Sequence, residues 1–327
     1  MKKIINEPGK IVEEMLQGIV KSYGNLVHQV EDSRVIARND SNKQVGLVSG
    51  GGSGHEPAHA GFVGDGMLNA AVLGDVFTSP TPDQILTGIQ AADQGAGVLL
   101  IVKNYTGDIL NFEMAKDRAD MEDIHVEMVV VDDDIAVEDS TYTAGKRGVA
   151  GTVLVHKILG HHARQGASLE ELVSLGEKIV AATKTIGVAL KAATVPEVGK
   201  PGFTLPEDEI EFGVGIHGEP GYRREKIQPS KELAKELVEK TLSSYEQQPQ
   251  TVGVLVNGMG GTPLMEQFVF MNDVLTLLED KGVQVTFHKV GNYMTSIDMQ
   301  GLSLTMIDLA TKDWQTALES NVTTISW

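Results

Sequence analysis

The chain has 327 residues, of which 41% are hydrophobic, and this is enough to form the cores of two domains. Its formal net charge of −18 disfavours binding to nucleic acid or to an anionic membrane surface, because both require clustered Lys and Arg. It contains no cysteine, which excludes disulfides and thiolate chemistry, and we expect a cytoplasmic protein. The first 15 residues lack the apolar centre of a signal peptide, and no apolar run has the length of a membrane span.

Predicted helices and strands alternate along the first half of the chain. Apolar residues at helical spacing from Ile11 to Ile19 predict that the first 30 residues are helical. Four short apolar runs follow, each ending in a glycine or a polar loop, at 45–48, 70–73, 98–102 and 127–131. Helices are predicted between them at 82–94 and 110–119. This alternation is typical of an α/β fold, in which ligands bind at the carboxyl ends of the strands.

The second half of the chain begins with a long helical pattern. Residues 148–192 predict two helices separated at 165–168, with Ser168 as the N-cap of the second. A segment rich in Pro and Gly, 195–209, is interpreted as a linker. Further apolar runs follow at 211–216, 252–256, 283–288 and 302–309. We therefore predict an α/β protein of two domains, 1–190 and 191–327, each with a mainly parallel or mixed sheet flanked by helices.

A glycine-rich segment, 49–57 (SGGGSGHEP), follows the first of these apolar runs. Glycines allow close approach of a ligand to the backbone and accept positive φ, so either a tight turn or a ligand loop explains them. The segment lacks the Lys-Ser/Thr ending of a P-loop and the fingerprint of a dinucleotide site. His55 and Glu56 at its end favour a ligand loop, because titratable groups at strand ends are often functional.

Lys103 and Asp108 bracket the loop that follows the 98–102 run. A lysine and a carboxylate at one strand end can bind a small polar molecule and remove a proton from it. The alternative is a plain loop in which Asp108 caps a helix that begins at Ile109.

His217 stands between glycines in 213–221 (GVGIHGEPG), at the end of another apolar run. Its accessible ring can act as a base, a metal ligand or a nucleophile, and a structural role is equally open. The remaining histidines and acidic clusters carry no chemical pattern. His161 and His162 are expected on an exposed helix face, residues 132–134 at a solvated strand end, and no metal site is predicted.

Six stretches together resemble one known family. They are 50–60 (GGGSGHEPAHA), 75–84 (DVFTSPTPDQ), 102–113 (VKNYTGDILNFE), 139–148 (DSTYTAGKRG), 213–221 (GVGIHGEPG) and 291–305 (GNYMTSIDMQGLSLT). In this order they resemble the dihydroxyacetone kinase family, specifically the substrate-binding subunit of its bacterial, phosphoenolpyruvate-dependent form. The matches span nearly the whole chain, so this resemblance is far more specific than a single glycine motif.

The resemblance implies a two-domain α/β homodimer that holds dihydroxyacetone as a covalent hemiaminal on His217. It assigns proton transfer to Asp108 and His55, with His217 as the third catalytic residue. The implied substrate contacts are Gly52, Ser53, Gly54, His55, Lys103 and Asp108.

The resemblance also implies which partners the chain needs. No cofactor is expected on this chain. The nucleotide, Mg-ADP or Mg-ATP, would lie on a separate kinase subunit, and a phosphohistidine-carrying protein would recharge the ADP. Some relatives in the family are instead dihydroxyacetone-sensing co-activators of a transcriptional regulator, and this alternative stays open. Intact Asp108 and His55 favour the enzyme, because a sensor has no need of a base.

Overall fold

Two six-stranded sheets and eight helices make up the regular structure of residues 2–40, 42–138 and 143–327, the part of the chain that the computed structural model describes. Residues 139–142, at the start of the matched stretch 139–148, lie outside these described residues. The helices, in chain order, are α1 (Ile11–Tyr23), α2 (Pro82–Ala92), α3 (Thr106–Asp120), α4 (Thr152–Arg164), α5 (Leu169–Ala182), α6 (Ser230–Ser243), α7 (Leu264–Asp280) and α8 (Lys312–Glu319).

The first sheet contains the strands of the first half of the chain. They are β1 (Val27–Gln29), β2 (Val35–Arg38), β3 (Gly46–Ser53), β4 (Ala70–Val76), β5 (Val98–Lys103) and β6 (Val126–Val131). Their spatial order is β1-β2-β4-β3-β5-β6; the last four strands are parallel, and β2 is antiparallel to both of its neighbours. Parallel pairing places the carboxyl ends of β3, β4, β5 and β6 on one edge of the sheet.

The second sheet is mostly antiparallel. Its strands are β7 (Thr183–Lys191), β8 (Glu209–Phe212), β9 (Arg223–Lys226), β10 (Thr251–Gly258), β11 (Gln284–Gly291) and β12 (Gln300–Asp308). Their spatial order is β11-β10-β12-β7-β8-β9, with only the β10–β11 pair parallel. Two mixed sheets flanked by helices confirm the predicted fold class.

The apolar runs of the sequence are strands covered on both faces. Along β5, Leu100 and Val102 pack toward α2 and α3, while Leu99 and Ile101 point to the opposite face. Alternate residues of a strand point to opposite faces, so a strand buried on both sides reads as a continuous apolar run. That opposite face packs on α4 and α5, whose other side meets Leu255 and its neighbours in the second sheet. Helices α6 and α7 cover the outer face of the second sheet.

Two helix predictions are wrong in part. Residues 183–191, expected to be helical, form strand β7, and residues 27–29 form strand β1. The break at 165–168 is confirmed, because the Glu171 N–H donates to the Ser168 side chain in a capping box. The division of the chain into 1–190 and 191–327 stays a prediction; the strand at that boundary, β7, belongs entirely to the second sheet.

The prediction of a solvated strand end at 132–134 is confirmed for Asp132, which is exposed, and is wrong for Asp133 and Asp134. Asp133 and Asp134 are buried at the point where the first sheet meets β7. The Asp133 carboxylate accepts hydrogen bonds from the backbone N–H groups of Val149 and Gly151, both at 2.8 Å. Asp134 forms an ion pair with the buried Arg147. These carboxylates therefore hold residues 147–151 beside the start of β7 instead of facing water. His161 and His162, on α4, are partly buried rather than exposed.

Candidate functional site

The carboxyl ends of β3 and β5 and the loop after β8 meet at one cleft. Its volume is about 650 Å³, and it is lined by Gly52, Phe77, Thr78, Ser79, Tyr105, Thr106, Gly107, Asp108, Asn111 and His217. Of the predicted site residues, Gly52, Asp108 and His217 line the cleft. A neighbouring cleft of about 760 Å³ shares Thr78 and Ser79, but its lining among the described residues contains no histidine or lysine. The predicted site residues therefore belong to the first cleft and not to its neighbour.

The glycines at the end of β3 let other groups approach the backbone. Gly51 has φ +146°, and a Cβ on it would lie only 2.6 Å from Lys103 Nζ. A Cβ on Gly52 would lie 2.5 Å from the Thr78 backbone nitrogen. The Ser53 hydroxyl donates to the Gly74 carbonyl at 2.7 Å, so that side chain holds β4 rather than facing the cleft. Glycine is required here because the backbone is in close contact with the site.

His217 stands at the wall of the cleft with its ring fixed on several sides. Its ring centroid lies 4.8 Å from that of His55, 5.2 Å from that of Phe77 and 4.4 Å from that of Tyr105, all edge to face. Glu219 Oε1 lies 3.3 Å from His217 Nδ1, and Glu219 Oε2 accepts the His217 backbone N–H at 3.1 Å. A carboxylate beside Nδ1 holds the hydrogen on that nitrogen, which leaves the Nε2 lone pair available.

Glu219 is buried but remains ionised. Burial raises the pKa of its carboxyl, but the hydrogen bond to His217 and the charges of His217 and Arg147 outweigh this, so the net pKa is lowered. A Cβ on Gly215 would clash with the Glu219 carboxylate and would lie 2.8 Å from Arg147 Nη1, so both groups approach that glycine. Arg147 also donates from Nε to Asp134 at 2.7 Å. Burial raises the pKa of Asp134 to about 6, even though the Arg147 charge opposes the shift.

His55 is fully buried beside His217. Its Nδ1 donates to the Thr295 carbonyl at 2.8 Å, a contact across the two halves of the chain. Its Nε2 is buried and has no hydrogen-bond partner within the described part of the chain. Burial, with the charges of His217 and Lys103, holds the pKa of His55 well below its usual value. The ring is therefore neutral, with a bare Nε2 that can accept a proton or a hydrogen bond.

Lys103 and Asp108 form a buried ion pair, of which Asp108 lines the cleft. Lys103 Nζ lies 3.9 Å from Asp108 Oδ2 and donates to the Gly50 carbonyl at 3.2 Å. Burial lowers the pKa of the Lys103 ammonium, and the Asp108 charge counteracts this. Helix α3 begins at Thr106, so Asp108 lies in its first turn, where the helix dipole favours an anion. The alternative, Asp108 as the cap of a helix from Ile109, is wrong.

The sequence interpretation missed two buried histidines behind Lys103. His59 Nε2 lies 3.1 Å from Lys103 Nζ, and His59 Nδ1 lies 2.9 Å from His156 Nε2. Its place in the matched stretch 50–60 was the one sequence signal that could have identified His59. His156 lies in α4, outside every matched stretch, and no sequence signal identified it. Glu219 was within a quoted motif but was not assigned a role. No group of three or more potential metal-ligating side chains forms within the described ranges, and none of their helices is long and apolar enough to cross a membrane.

The fold and the cleft define a member of one family. Residues 17–326 match the family model of the Dak1 domain, and the chain therefore belongs to the Dak1 family. The resemblance predicted from the six motifs is confirmed.

Two relatives are similar along their whole length, and one solved structure is similar over part of its length. The chain is 66% identical to the dihydroxyacetone-binding subunit of PTS-dependent dihydroxyacetone kinase 1 from Listeria innocua, covering 100% of both chains. It is 43% identical to the DhaKLM operon coactivator DhaQ from Lactococcus lactis, covering 99% of this chain and 100% of that one. The dihydroxyacetone kinase of C. freundii, in complex with AMP-PNP and Mg²⁺, superposes with a TM-score of 0.92 at 36% identity. That alignment covers 100% of this chain and 60% of the kinase.

Proposed function

We propose that this chain is the dihydroxyacetone-binding subunit of a PTS-dependent dihydroxyacetone kinase and holds its substrate as a hemiaminal on His217. The full-length relative from Listeria innocua, at 66% identity, is named as such a subunit. The coactivator from Lactococcus lactis, at 43% identity, is considerably more distant. The difference in identity favours the kinase subunit over the sensor.

The observation that carries the covalent proposal is the setting of the His217 ring. Three aromatic rings hold it edge-on in the cleft wall, and Glu219 lies beside its Nδ1. In its neutral form, an imidazole oriented in this way presents Nε2 as a nucleophile. Dihydroxyacetone is small and uncharged, so its noncovalent affinity is bounded by its few heavy atoms. A covalent bond to the carbonyl carbon supplies affinity, and it rejects glycerol, which has no carbonyl.

The adduct forms by addition, and nothing is released. His217 Nε2 forms a bond to C2 as the C2–O π bond breaks, and the former carbonyl oxygen takes up a proton. The imidazole gives up its Nδ1 hydrogen, for which the Glu219 carboxylate at 3.3 Å is the acceptor. Solvent in the cleft supplies the proton of the new hydroxyl, and the proton from Nδ1 passes by way of Glu219 back to solvent, so the proton count balances. The Arg147 charge beside Glu219 stabilises the carboxylate before the addition.

Asp108 would take the proton from the terminal hydroxyl that attacks the phosphorus. It lines the cleft in the first turn of α3, while the Lys103 charge lies 3.9 Å behind it. His55, neutral and with a bare Nε2, is the second proton acceptor near the ring of His217. Lys103 and the amides of Gly52, Ser53 and Gly54 would orient the substrate and stabilise developing charge. The covalent bond fixes the hydroxyl for in-line attack.

The phosphoryl group would come from Mg-ADP or Mg-ATP held by a partner subunit, recharged by a phosphohistidine carrier protein. The longer C. freundii kinase, of which this chain matches 60%, was solved with a nucleotide analogue and Mg²⁺. The relative from Listeria innocua is named as one subunit of such a kinase, which supports a separate subunit for the nucleotide. The proposal includes a homodimer in the cytoplasm.

Reconstitution tests the proposed function. The chain is mixed with the nucleotide-carrying subunit, the phosphohistidine carrier and phosphoenolpyruvate, and dihydroxyacetone phosphate is measured over time. Turnover that depends on this chain supports the kinase subunit. Full occupancy of His217 without turnover, with partners proven competent on a known kinase subunit, would establish the sensor instead.

A further inference from the structure

The two buried histidines behind Lys103 form one chain of hydrogen bonds. Lys103 Nζ lies 3.1 Å from His59 Nε2, and His59 Nδ1 lies 2.9 Å from His156 Nε2. All three side chains are buried. His156 Nδ1 is the last atom of this series of hydrogen bonds, and it has no hydrogen-bond partner among the described residues. Buried polar groups are costly unless they are hydrogen-bonded, so a connected series of three such side chains next to the cleft indicates a role beyond packing.

The lysine ammonium determines where each hydrogen lies. A lysine ammonium donates and cannot accept, so His59 Nε2 must be bare and Nδ1 must carry the hydrogen. The Ser49 hydroxyl, 3.3 Å from His59 Nδ1, donates its own hydrogen to the Ile101 carbonyl at 2.7 Å, so it can only accept from His59. Because His59 Nδ1 carries the hydrogen, His156 Nε2, at 2.9 Å, must be a hydrogen-bond acceptor as well. His156 Nε2 is then bare, and its hydrogen is on Nδ1.

Both rings stay neutral in this arrangement. Burial, the Lys103 charge and the neighbouring histidines lower the pKa of His59 well below its usual value. Burial and the Lys103 charge lower the pKa of His156 to about 3. Two neutral imidazoles thus add no positive charge near the ammonium, and they offer it an acceptor in a fixed direction.

A fixed ammonium matters for Asp108, the cleft residue with which Lys103 forms an ion pair. The Gly50 carbonyl and His59 Nε2 accept two of its three hydrogens, at 3.2 and 3.1 Å. The remaining N–H is then directed away from both acceptors, and Asp108 Oδ2, at 3.9 Å, is the carboxylate that pairs with the ammonium. Since the ammonium sets the electrostatic environment of that carboxylate, its direction bears on the step in which Asp108 takes a proton.

We propose that His59 and His156 are positioning residues that act through Lys103, holding its ammonium toward Asp108 and the bound substrate. This inference rests on the proposed function, since it deepens the account of the same site. Neither histidine lines the cleft. Their effect should therefore fall on the chemical step and should leave the hemiaminal on His217 intact.

Paired substitutions at His59 separate hydrogen bonding from packing. His59→Leu fills the space without an acceptor, while His59→Gln offers an amide oxygen close to the position of Nε2. In the reconstituted kinase we expect His59→Leu to lower kcat by about 10–100-fold, the loss typical of a hydrogen bond to a charged group, with unchanged occupancy of His217. His59→Gln should retain most of the turnover. Equal turnover in wild type and His59→Leu, or equal losses in both variants, would overturn the proposal.

A second measurement needs neither turnover nor a folded Leu variant. Nitrogen-15 NMR of the full chain labelled at the histidine rings distinguishes a bare ring nitrogen from a protonated one. His59→Gln and His156→Gln assign the two signals by their disappearance. We expect both rings to be neutral with the hydrogen on Nδ1, and a hydrogen on Nε2 of either ring would refute the proposal. If the wild-type protein failed to bind dihydroxyacetone, the proposed function would be refuted. The tautomers of His59 and His156 would still show whether the two rings are hydrogen-bonded to Lys103 as described.

Discussion

Replacing Glu219 by glutamine tests how His217 is prepared for addition to a ketone. The carboxylate accepts the His217 backbone N–H at 3.1 Å and lies 3.3 Å from Nδ1. A glutamine side chain has one acceptor oxygen, so its NH₂ group must face one of these two donors. The variant also loses the negative charge that holds the hydrogen on Nδ1. The expected consequence is weaker adduct formation with little change in overall structure.

The size of the effect follows from the geometry. A hydrogen bond to a charged group contributes about 1.5–3 kcal/mol. Because 3.3 Å is a long contact, the lower end applies, which corresponds to about a tenfold weaker affinity for dihydroxyacetone. Isothermal titration calorimetry of the isolated chain measures this affinity directly, without partner subunits.

Glu211→Gln is the matched control. Glu211 is also buried, and it accepts the Gly221 N–H at 2.9 Å and pairs with Arg224 at 2.5 Å, but it has no recorded contact with His217. Its loss should affect stability without weakening the binding of dihydroxyacetone. Wild-type affinity in Glu219→Gln would refute the reasoning, as would equal weakening in both variants.

Three further predictions concern catalysis, pH dependence and the nucleotide. Asp108→Asn should lower kcat in the reconstituted kinase by about 10²–10⁴-fold while the adduct on His217 still forms, and near-normal turnover would make His55 the leading candidate for the base. His156 has a pKa of about 3 in the folded chain and an ordinary value of 6.5 when unfolded, so only the unfolded chain takes up its proton between these values. The free energy of unfolding should fall as pH decreases through this window, and His156→Gln should reduce that slope by about 1.4 kcal/mol per pH unit in urea titrations; an unchanged slope would contradict the assignment. Calorimetry of the isolated chain with Mg-ATP should show no binding near physiological concentrations, and a micromolar Kd would revive a self-sufficient kinase.

The sequence predicted those parts of the site whose residues carry unusual local patterns. One such pattern is the cluster of glycines next to His55 and next to His217. Another is the pair of Lys103 and Asp108 after a buried strand. The fold brings these segments together. The resemblance then assigned roles that spacing alone left open. Runs such as 98–102 were interpreted correctly because burial on both faces makes a strand continuously apolar.

Features that depend on tertiary contacts were not predictable in this way. Strand β7, TKTIGVALK, follows α5 without a proline or glycine break, so its apolar residues seemed to continue the helix. Asp134 resembles a surface carboxylate in sequence, and its burial is explained by tertiary pairing with Arg147 and by the hydrogen bond that it accepts from the Ala136 N–H. His59 and His156 are 97 positions apart, and a contact over that separation leaves no local pattern.

The covalent bond on His217 is the central claim, and a crystal structure of the chain soaked with dihydroxyacetone tests it most directly. The account predicts continuous electron density from His217 Nε2 to C2 of the substrate, with a tetrahedral carbon and Glu219 still beside Nδ1. Density for an intact, planar ketone in the cleft next to an unmodified His217 would contradict it.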